Sequence, residues 1–508
     1  MKNAGTNRPR QSDGEMEKIM GTVRNIAILV WALKSGGAER IAGLLSVNLS
    51  RHYNVYLFVW DTSDMVYEYG GTLVDVSGKD IEKNIREKKS ELKIDCSISF
   101  MTGANDLNIR LRVNDKIIVS ERCAHSPNIF FNACRNSGLW NNYCSADVIV
   151  AASHGISYDL KNNIGIEDVP IKVVYNYVDK QGIIEKAGND LDEELKSFVS
   201  NSKVILNIGR LDAQKNQSGL IVQFAKLLKI KKDIKLIILG SGPLKERLQN
   251  QINELNLQEY VKLVPFYSNP FPFYRIADIY ASTSDFEGLS NVLIEAMCLG
   301  VPIVATDCLA GTRELIHSDH DYGNHIKGYV RCKRGILVEV SDREKNGETD
   351  YFAKALNELL SDSVYYKEVQ QNQKIFMDAY DNERITSEWV EIIENTQQRN
   401  VPIPKKLTIG DLRIRHKVII YGAGVIGRRV LSLMKKTDHE ILSFAVTEKG
   451  TQKDFIEGIP VKDIKELVEY GPEATVFLAL NPQFYEEIIK NLKKLGFDDT
   501  VMSHFFES

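Results

Sequence analysis

Residues 282–313, STSDFEGLSNVLIEAMCLGVPIVATDCLAGTR, constrain the fold more than any other stretch of the chain. Ser290 is a good N-cap, residues 291–299 carry apolar side chains at helical spacing, Gly300 suits the position after a helix, and Pro302 blocks continuation. Residues 301–305 then read as a buried parallel strand. That places the helix start at the carboxyl edge of a sheet, where α/β proteins bind ligands. Gly288, Leu289, Ser290 and Asn291 therefore offer backbone N–H groups to an anion. Glu287 precedes the helix and Glu295 lies about one turn inside it, so both can face one ligand, and a carboxylate accepts well from vicinal hydroxyls. Taken alone, Glu295 reads equally well as a solvated helix position.

Short apolar runs alternate with helix-like segments on both sides of this stretch. Strands are predicted at residues 25–31, 55–60, 94–100, 116–120, 147–151 and 172–175, and again at 203–208, 235–239, 261–265 and 279–282. Such alternation implies parallel sheets covered on both faces. The expected fold class is α/β: two facing Rossmann-like domains at residues 22–180 and 201–350, with a polar, acidic linker over residues 176–201 between them. Closing helices follow at 351–398, a Pro-containing linker at 399–415, and a smaller Rossmann-like α/β domain at 416–508.

Composition narrows the class. The chain has 508 residues and 43% hydrophobic content, enough for several real cores. A formal net charge of −4 argues against a general nucleic-acid binder. Seven cysteines, an odd number with no CxxC pair, read as reduced thiols of a cytoplasmic protein. No run approaches the roughly 20 apolar residues needed to span a bilayer. Residues 1–21 are polar and lack an apolar core segment, so they are expected to be a disordered lead rather than a signal peptide.

Other clusters leave strand ends. Arg210 and Lys215 flank a helix start after the strand at 203–208, and two cations there suit a diphosphate. The loop LKSGGAER follows the first strand, where Gly36 and Gly37 permit a tight turn and close approach of a ligand. VSERCAHSP brings Glu121, Arg122 and His125 together. They read as acceptor contacts, or Glu121 and Arg122 as a structural ion pair and His125 as a general base or a local hydrogen-bonding residue. Two basic features, residues 85–93 and the pair Arg110 and Arg112, could meet acidic headgroups or an acceptor diphosphate, or be solvated faces.

FEGLSNVLIEAMCLGVPIVATD resembles the signature of the family 4 retaining glycosyltransferases, enzymes of the two-Rossmann GT-B type. The resemblance implies a nucleotide-sugar donor, in the first instance a UDP-sugar, with Glu287 on the transferred sugar, Glu295 on the ribose hydroxyls and the 288–291 backbone on the diphosphate. GRLDAQKN is similar to the family's donor-phosphate pattern, which makes Arg210 and Lys215 the phosphate pair. SGGAER resembles its amino-terminal loop, so Gly37 borders the donor, and Arg40 faces the glycines or pairs structurally. Ser-Glu-Arg is similar to the segment of members that elongate lipid-linked oligosaccharides or cell-envelope polysaccharides. The implied reaction is metal-independent transfer of a hexose or N-acetylhexosamine to such an acceptor with retention of configuration. It would take place in the cytoplasm with peripheral contact at the inner membrane surface.

Beyond the linker, a predicted strand at 417–421 runs directly into GAGVIG, residues 422–427, which opens a helix as a dinucleotide fingerprint does. Gly422, Gly424 and Gly427, with Glu448 at the end of the next strand, are the candidate nucleotide contacts. The segment resembles a small nucleotide-binding module attached to some sugar-modifying enzymes. It binds a nucleotide or nucleotide-sugar, or it is a docking module with a vestigial loop. Two further readings stay open: a bifunctional enzyme whose module uses a nicotinamide cofactor, and a non-catalytic sugar-nucleotide scaffold.

Overall fold

The computed structural model describes residues 23–34, 36–126, 139–317, 321–340, 349–404, 414–435, 438–447, 454–479 and 485–502. The lead at 1–21, Ser35 and Glu448 lie outside the described residues. The chain divides into two compact units. One comprises Met1–Ala124, Asp147–Leu160 and Pro170–Gln398, the other His125–Ala146, Lys161–Val169 and Arg399–Ser508.

The first unit holds two sheets. The amino-terminal lobe has β1 (Asn25–Ala32), β2 (Asn54–Asp61), β3 (Thr72–Asp75), β4 (Cys96–Phe100), β5 (Lys116–Glu121), β6 (Val148–Ala151) and β7 (Ile171–Val173). Their order is β3-β2-β1-β4-β5-β6-β7, and every pairing is parallel. The second lobe has β8 (Lys203–Ile208), β9 (Ile234–Leu239), β10 (Val261–Val264), β11 (Ile279–Ser282), β12 (Ile303–Thr306), β13 (Tyr329–Cys332) and β14 (Gly335–Val338). Their order is β10-β9-β8-β11-β12-β14-β13, and among the described residues only β13 pairs antiparallel.

Both sheets are doubly wound, because strands buried on two faces need helices on both. In the second lobe Ile205, Leu236, Ile238, Ile279 and Val304 pack with Phe224 and Leu227 of the helix Gln217–Ile230 and Leu356 and Leu359 of the helix Tyr351–Ser361. In the first, Ala27, Leu29, Phe58 and Trp60 pack with Ile85 and Leu111.

The connecting stretch over 176–201 contains two short helices, Lys180–Ala187 and Glu193–Val199. Two of its aspartates serve as caps: Asp179 accepts from Gly182 N–H and Asp192 from Leu195 N–H, satisfying donors that the first turn leaves open. Three cations of the basic features turn inward, although Arg86 and Lys93 of the 85–93 segment stay exposed. Lys89 is fully buried against Asp115 at 2.8 Å, Arg110 pairs with Asp106 and Glu82, and Arg112 pairs with Asp147 at 3.1 Å. These cations are committed to internal partners, since a buried charge needs one.

The second unit carries β15 (Lys417–Tyr421), β16 (Glu440–Val446), β17 (Phe455–Ile456), β18 (Ile459–Asp463), β19 (Ala474–Leu478) and β20 (Thr500–Met502). Their order is β17-β18-β16-β15-β19-β20. Separate apolar clusters on the two faces of the sheet include Ile419, Val476 and Leu492 on one and Ile420, Leu431 and Phe444 on the other.

Candidate active site

The loop after β8 is fixed by bonds to the segment after β11. Thr283 Oγ1 donates to the carbonyls of Lys215 and Asn216 at 3.1 and 3.0 Å, and Gln214 Nε2 donates to Phe286 O at 2.9 Å. Asp212 accepts from the Lys215 amide and from Arg210 Nε. This stitching carries Lys215 Nζ to 2.6 Å from Glu287 Oε1. Burial lowers the affinity of Lys215 for its proton, but the charge and hydrogen bond of Glu287 outweigh it and the lysine pKa is raised. The ammonium is thus held charged at neutral pH. The Arg210 side chain beside it is 68% exposed.

The turn at 288–291 is tightly enclosed. A Cβ on Gly288 would stand 1.7 Å from the carbonyl oxygen of Arg122, so only glycine fits there. Gly311 N–H donates to Gly288 O at 2.7 Å, and Ala124 N–H donates to Glu287 O at 3.0 Å. Ser290 holds the N-cap position of the helix Asn291–Cys298 with extended backbone, but its side chain makes no capping hydrogen bond. Its hydroxyl is buried with no hydrogen-bond partner among the described residues. An orphan hydroxyl beside a helix start is a vacant donor for an anion.

Glu295 lies inside that helix and is buried. Its Oε1 accepts from Arg40 Nη1 at 2.5 Å, and its Oε2 accepts from the Tyr274 hydroxyl at 3.1 Å. Arg40, expected beside the glycine loop as an acceptor contact or a structural partner, belongs to the helix Gly37–Leu49 and reaches across to the second lobe. The glycine loop comes close too, for a Cβ on Gly37 would meet Asn291 Nδ2 at 3.1 Å.

Glu121 is fully buried at the end of β5, accepting from Asn105 Nδ2 at 2.8 Å. The Arg122 guanidinium is buried between the rings of Phe100 and Trp389. It donates through Nη1 to Asn176 Oδ1 at 2.9 Å. Its Nε and Nη2 have no partner among the described residues, and burial lowers its pKa to about 10 against the opposing pull of Glu121. His125 falls in the other compact unit, its ring 4.7 Å from that of Trp140.

Three residues organise this region; sequence reasoning missed Asn176 and Tyr274, and read Glu314 only as a rim residue after the strand at 301–305. Asn176 donates to Leu289 O and Asn291 Oδ1 at 3.0 and 2.7 Å while accepting from Arg122. Tyr274 orients Glu295. Glu314 accepts from the amides of His154 and Gly155 and from the hydroxyls of Tyr175 and Tyr322, which ties the two lobes together. Asn176 lies in VYNYVD and Tyr274 in FPFYR, segments whose local pattern signals only a strand and a short helix.

In the second unit, Gly422 has φ of 118°, and a Cβ on Gly427 would stand 1.9 Å from Gly422 O, whereas one on Gly424 would meet nothing within 4 Å. Among the described residues there is no group of three or more His, Cys, Asp or Glu side chains that could hold a metal ion. No helix there is long and apolar enough to cross a membrane.

Comparison with known proteins places these features. Residues 190–376 match the model described as glycosyl transferases group 1, and residues 414–502 match the C2185-like N-terminal model. The chain is 31% identical over 386 residues to the Campylobacter jejuni N-acetylgalactosamine-N,N'-diacetylbacillosaminyl-diphospho-undecaprenol 4-alpha-N-acetylgalactosaminyltransferase, covering 72% of this chain and 97% of that one. It is 27% identical to the amylovoran biosynthesis glycosyltransferase AmsD of Erwinia amylovora, covering 71% and 96%. The structure of Anabaena HepE in complex with UDP and glucose superposes with a TM-score of 0.59 at 18% identity, over 73% of this chain and 99% of HepE.

A pair of doubly wound lobes with a helix start at the carboxyl edge of the second is the GT-B architecture of a glycosyltransferase. The chain belongs to the glycosyl transferases group 1 family.

Proposed function

We propose that the protein transfers a hexose or N-acetylhexosamine, with retention of configuration, from a UDP-sugar to a lipid-linked oligosaccharide or cell-envelope polysaccharide. The observation that carries this is the convergence of Lys215, Glu287 and the 288–291 turn at one carboxyl edge, with Arg210 beside them. The named Campylobacter and Erwinia relatives act in lipid-linked glycan and amylovoran synthesis, which supports the acceptor class.

In this reading the donor diphosphate lies on the amides of the turn, the Ser290 hydroxyl, Lys215 and Arg210. Fixed positive charge there stabilises the leaving phosphate as the glycosidic bond breaks. Because the side chains already supply two positive charges, the reading requires no metal. Glu287 accepts from hydroxyls of the transferred sugar, while Glu295, oriented by Arg40 and Tyr274, accepts from the ribose. The acceptor hydroxyl attacks from the face the leaving group vacates, and the departing phosphate takes its proton. The acceptor itself docks on the amino-terminal lobe at the cytoplasmic membrane face.

A donor screen tests the proposal: thermal shift and slow hydrolysis of UDP-, GDP-, ADP- and CMP-sugars by wild type and Glu295→Ala. Stabilisation by one UDP-sugar that the variant loses is the expected outcome. No response to any nucleotide sugar would overturn it.

A second reading concerns the carboxy-terminal module. The open space over Gly424 and the close packing of Gly427 on Gly422 suit a nucleotide or nucleotide-sugar at that turn. Binding that survives Glu295→Ala and is lost in Gly424→Asp would separate it from the donor site.

A further inference from the structure

The donor-side residues do not account for the exposed aromatic at the other lobe's carboxyl edge. The residues of β1 are otherwise buried or half-buried, yet Trp31, next to last in the strand, is 60% exposed. Its neighbour across β2 is Trp60, which is buried; the two rings stack 6.1 Å apart at 15°. An offset stack of this kind fixes the orientation of the exposed indole.

On the other side stands β4. Its register with β1 ends with Leu29 opposite Ser99, and continued two residues further it brings Met101 level with Trp31. Met101 is 41% exposed and has φ of 74°, a left-handed backbone that strains a non-glycine residue and tends to occur at ligand sites. β1 is also where the strand order reverses, with β2 and β3 to one side and β4 onward to the other. Doubly wound sheets bind ligands in the crevice at such a point.

A polar rim borders the indole. Lys34 Nζ donates to Asp61 Oδ2 at 2.5 Å and to Ser63 Oγ at 2.6 Å, and Ser63 Oγ donates to Asp61 Oδ1 at 2.6 Å. A pyranose has matching chemistry, with an apolar C–H face and a ring of hydroxyls. A bilayer surface would call for several large apolar side chains amid cations, whereas this rim carries a carboxylate.

We infer that Trp31, backed by Trp60 and flanked by Met101, is the floor of a saccharide subsite. There a sugar ring of the glycan acceptor stacks its C–H face on the indole and turns its hydroxyls to Lys34, Asp61 and Ser63. The assignment to an acceptor rests on the glycosyl-transfer reading above.

The test is saturation-transfer NMR on the full chain with methyl α-N-acetylgalactosaminide and methyl α-glucopyranoside. In wild type, the ring protons of the C–H face of at least one glycoside should receive the strongest transfer. Trp31→Ala should weaken binding roughly tenfold, and Trp31→Phe should restore most of it. Equal transfer to wild type and a Trp31→Ala protein of unchanged Tm would overturn the subsite, as would no transfer to either glycoside in wild type. So would intact sugar binding with lost cosedimentation on phosphatidylcholine–phosphatidylglycerol vesicles, which would assign the indole to lipid. Donor hydrolysis by wild type, followed in parallel, reports separately on the glycosyl-transfer reading.

Discussion

Of the glycine-bearing turns that follow the first strand of each sheet in this protein, the one after β8 and the one after β15 differ in where charge is placed. In the second lobe of the first unit, the Lys215–Glu287 pair and Arg210 sit at the carboxyl edge. In the carboxy-terminal module the ion pairs of Arg415 with Asp498 and of Lys417 with Glu473 fall just before or at the start of strands, on the amino edge. Among the described residues no ion pair involves the 422–427 turn. Glycines make a backbone that can approach a phosphate, but side chains from other strands decide what is done there. Charge at the carboxyl edge is exposed to a ligand, while charge at the amino edge ties strands together.

The sharpest way to break this comparison is Lys215→Ala, for which transfer should fall about 100-fold or more. The buried Glu287 carboxylate left behind should also cost about 3 kcal/mol of stability. Adding Glu287→Gln should recover much of the Tm without recovering turnover, so a double variant that regains activity would refute the assignment. Gly427→Ala forces a methyl onto Gly422 O and should lower the melting transition of the module by about 2 kcal/mol, whereas Gly424→Ala should stay within about 0.5 kcal/mol. Calorimetry of both would show whether the turn is as tightly built as its geometry implies.

Arg210→Ala should lower turnover about tenfold with an unchanged melting temperature, because the exposed side chain contributes charge but little packing. In Glu295→Ala, titration calorimetry with UDP should find binding about tenfold weaker, with a smaller loss of turnover at saturating donor. Lys417→Ala is the smallest expected effect. Its partner is largely exposed, so stability should change by less than about 1 kcal/mol and transfer not at all. A clear loss of transfer there would mean that the amino edge of the module matters to the reaction.

Much of the donor-side geometry was legible because it is local. The helix start after Ser290 and the strand–helix–strand order of 279–306 follow from residues within a few positions of one another, whereas the need for glycine at 288 comes from the distant Arg122 carbonyl. The reading failed where a local pattern has two meanings. The connection over 176–201 carries two short helices that its polar, acidic pattern did not announce. Arg110 and Arg112 look like a surface and are buried with carboxylates.

The α/β class, the repeated sheets and the spacing that puts Glu287 and Glu295 on either side of a helix start can be read from the order of residues alone. Periodicity and turn chemistry act over a few residues, and a chain carries them in plain order. Which residues meet is set by the packed fold: Lys215 with Glu287, Arg40 with Glu295, Asn176 between Arg122 and the turn, and Trp31 on Trp60. Those partners lie far apart in the chain and are joined by sheet register and lobe packing, which no local pattern encodes.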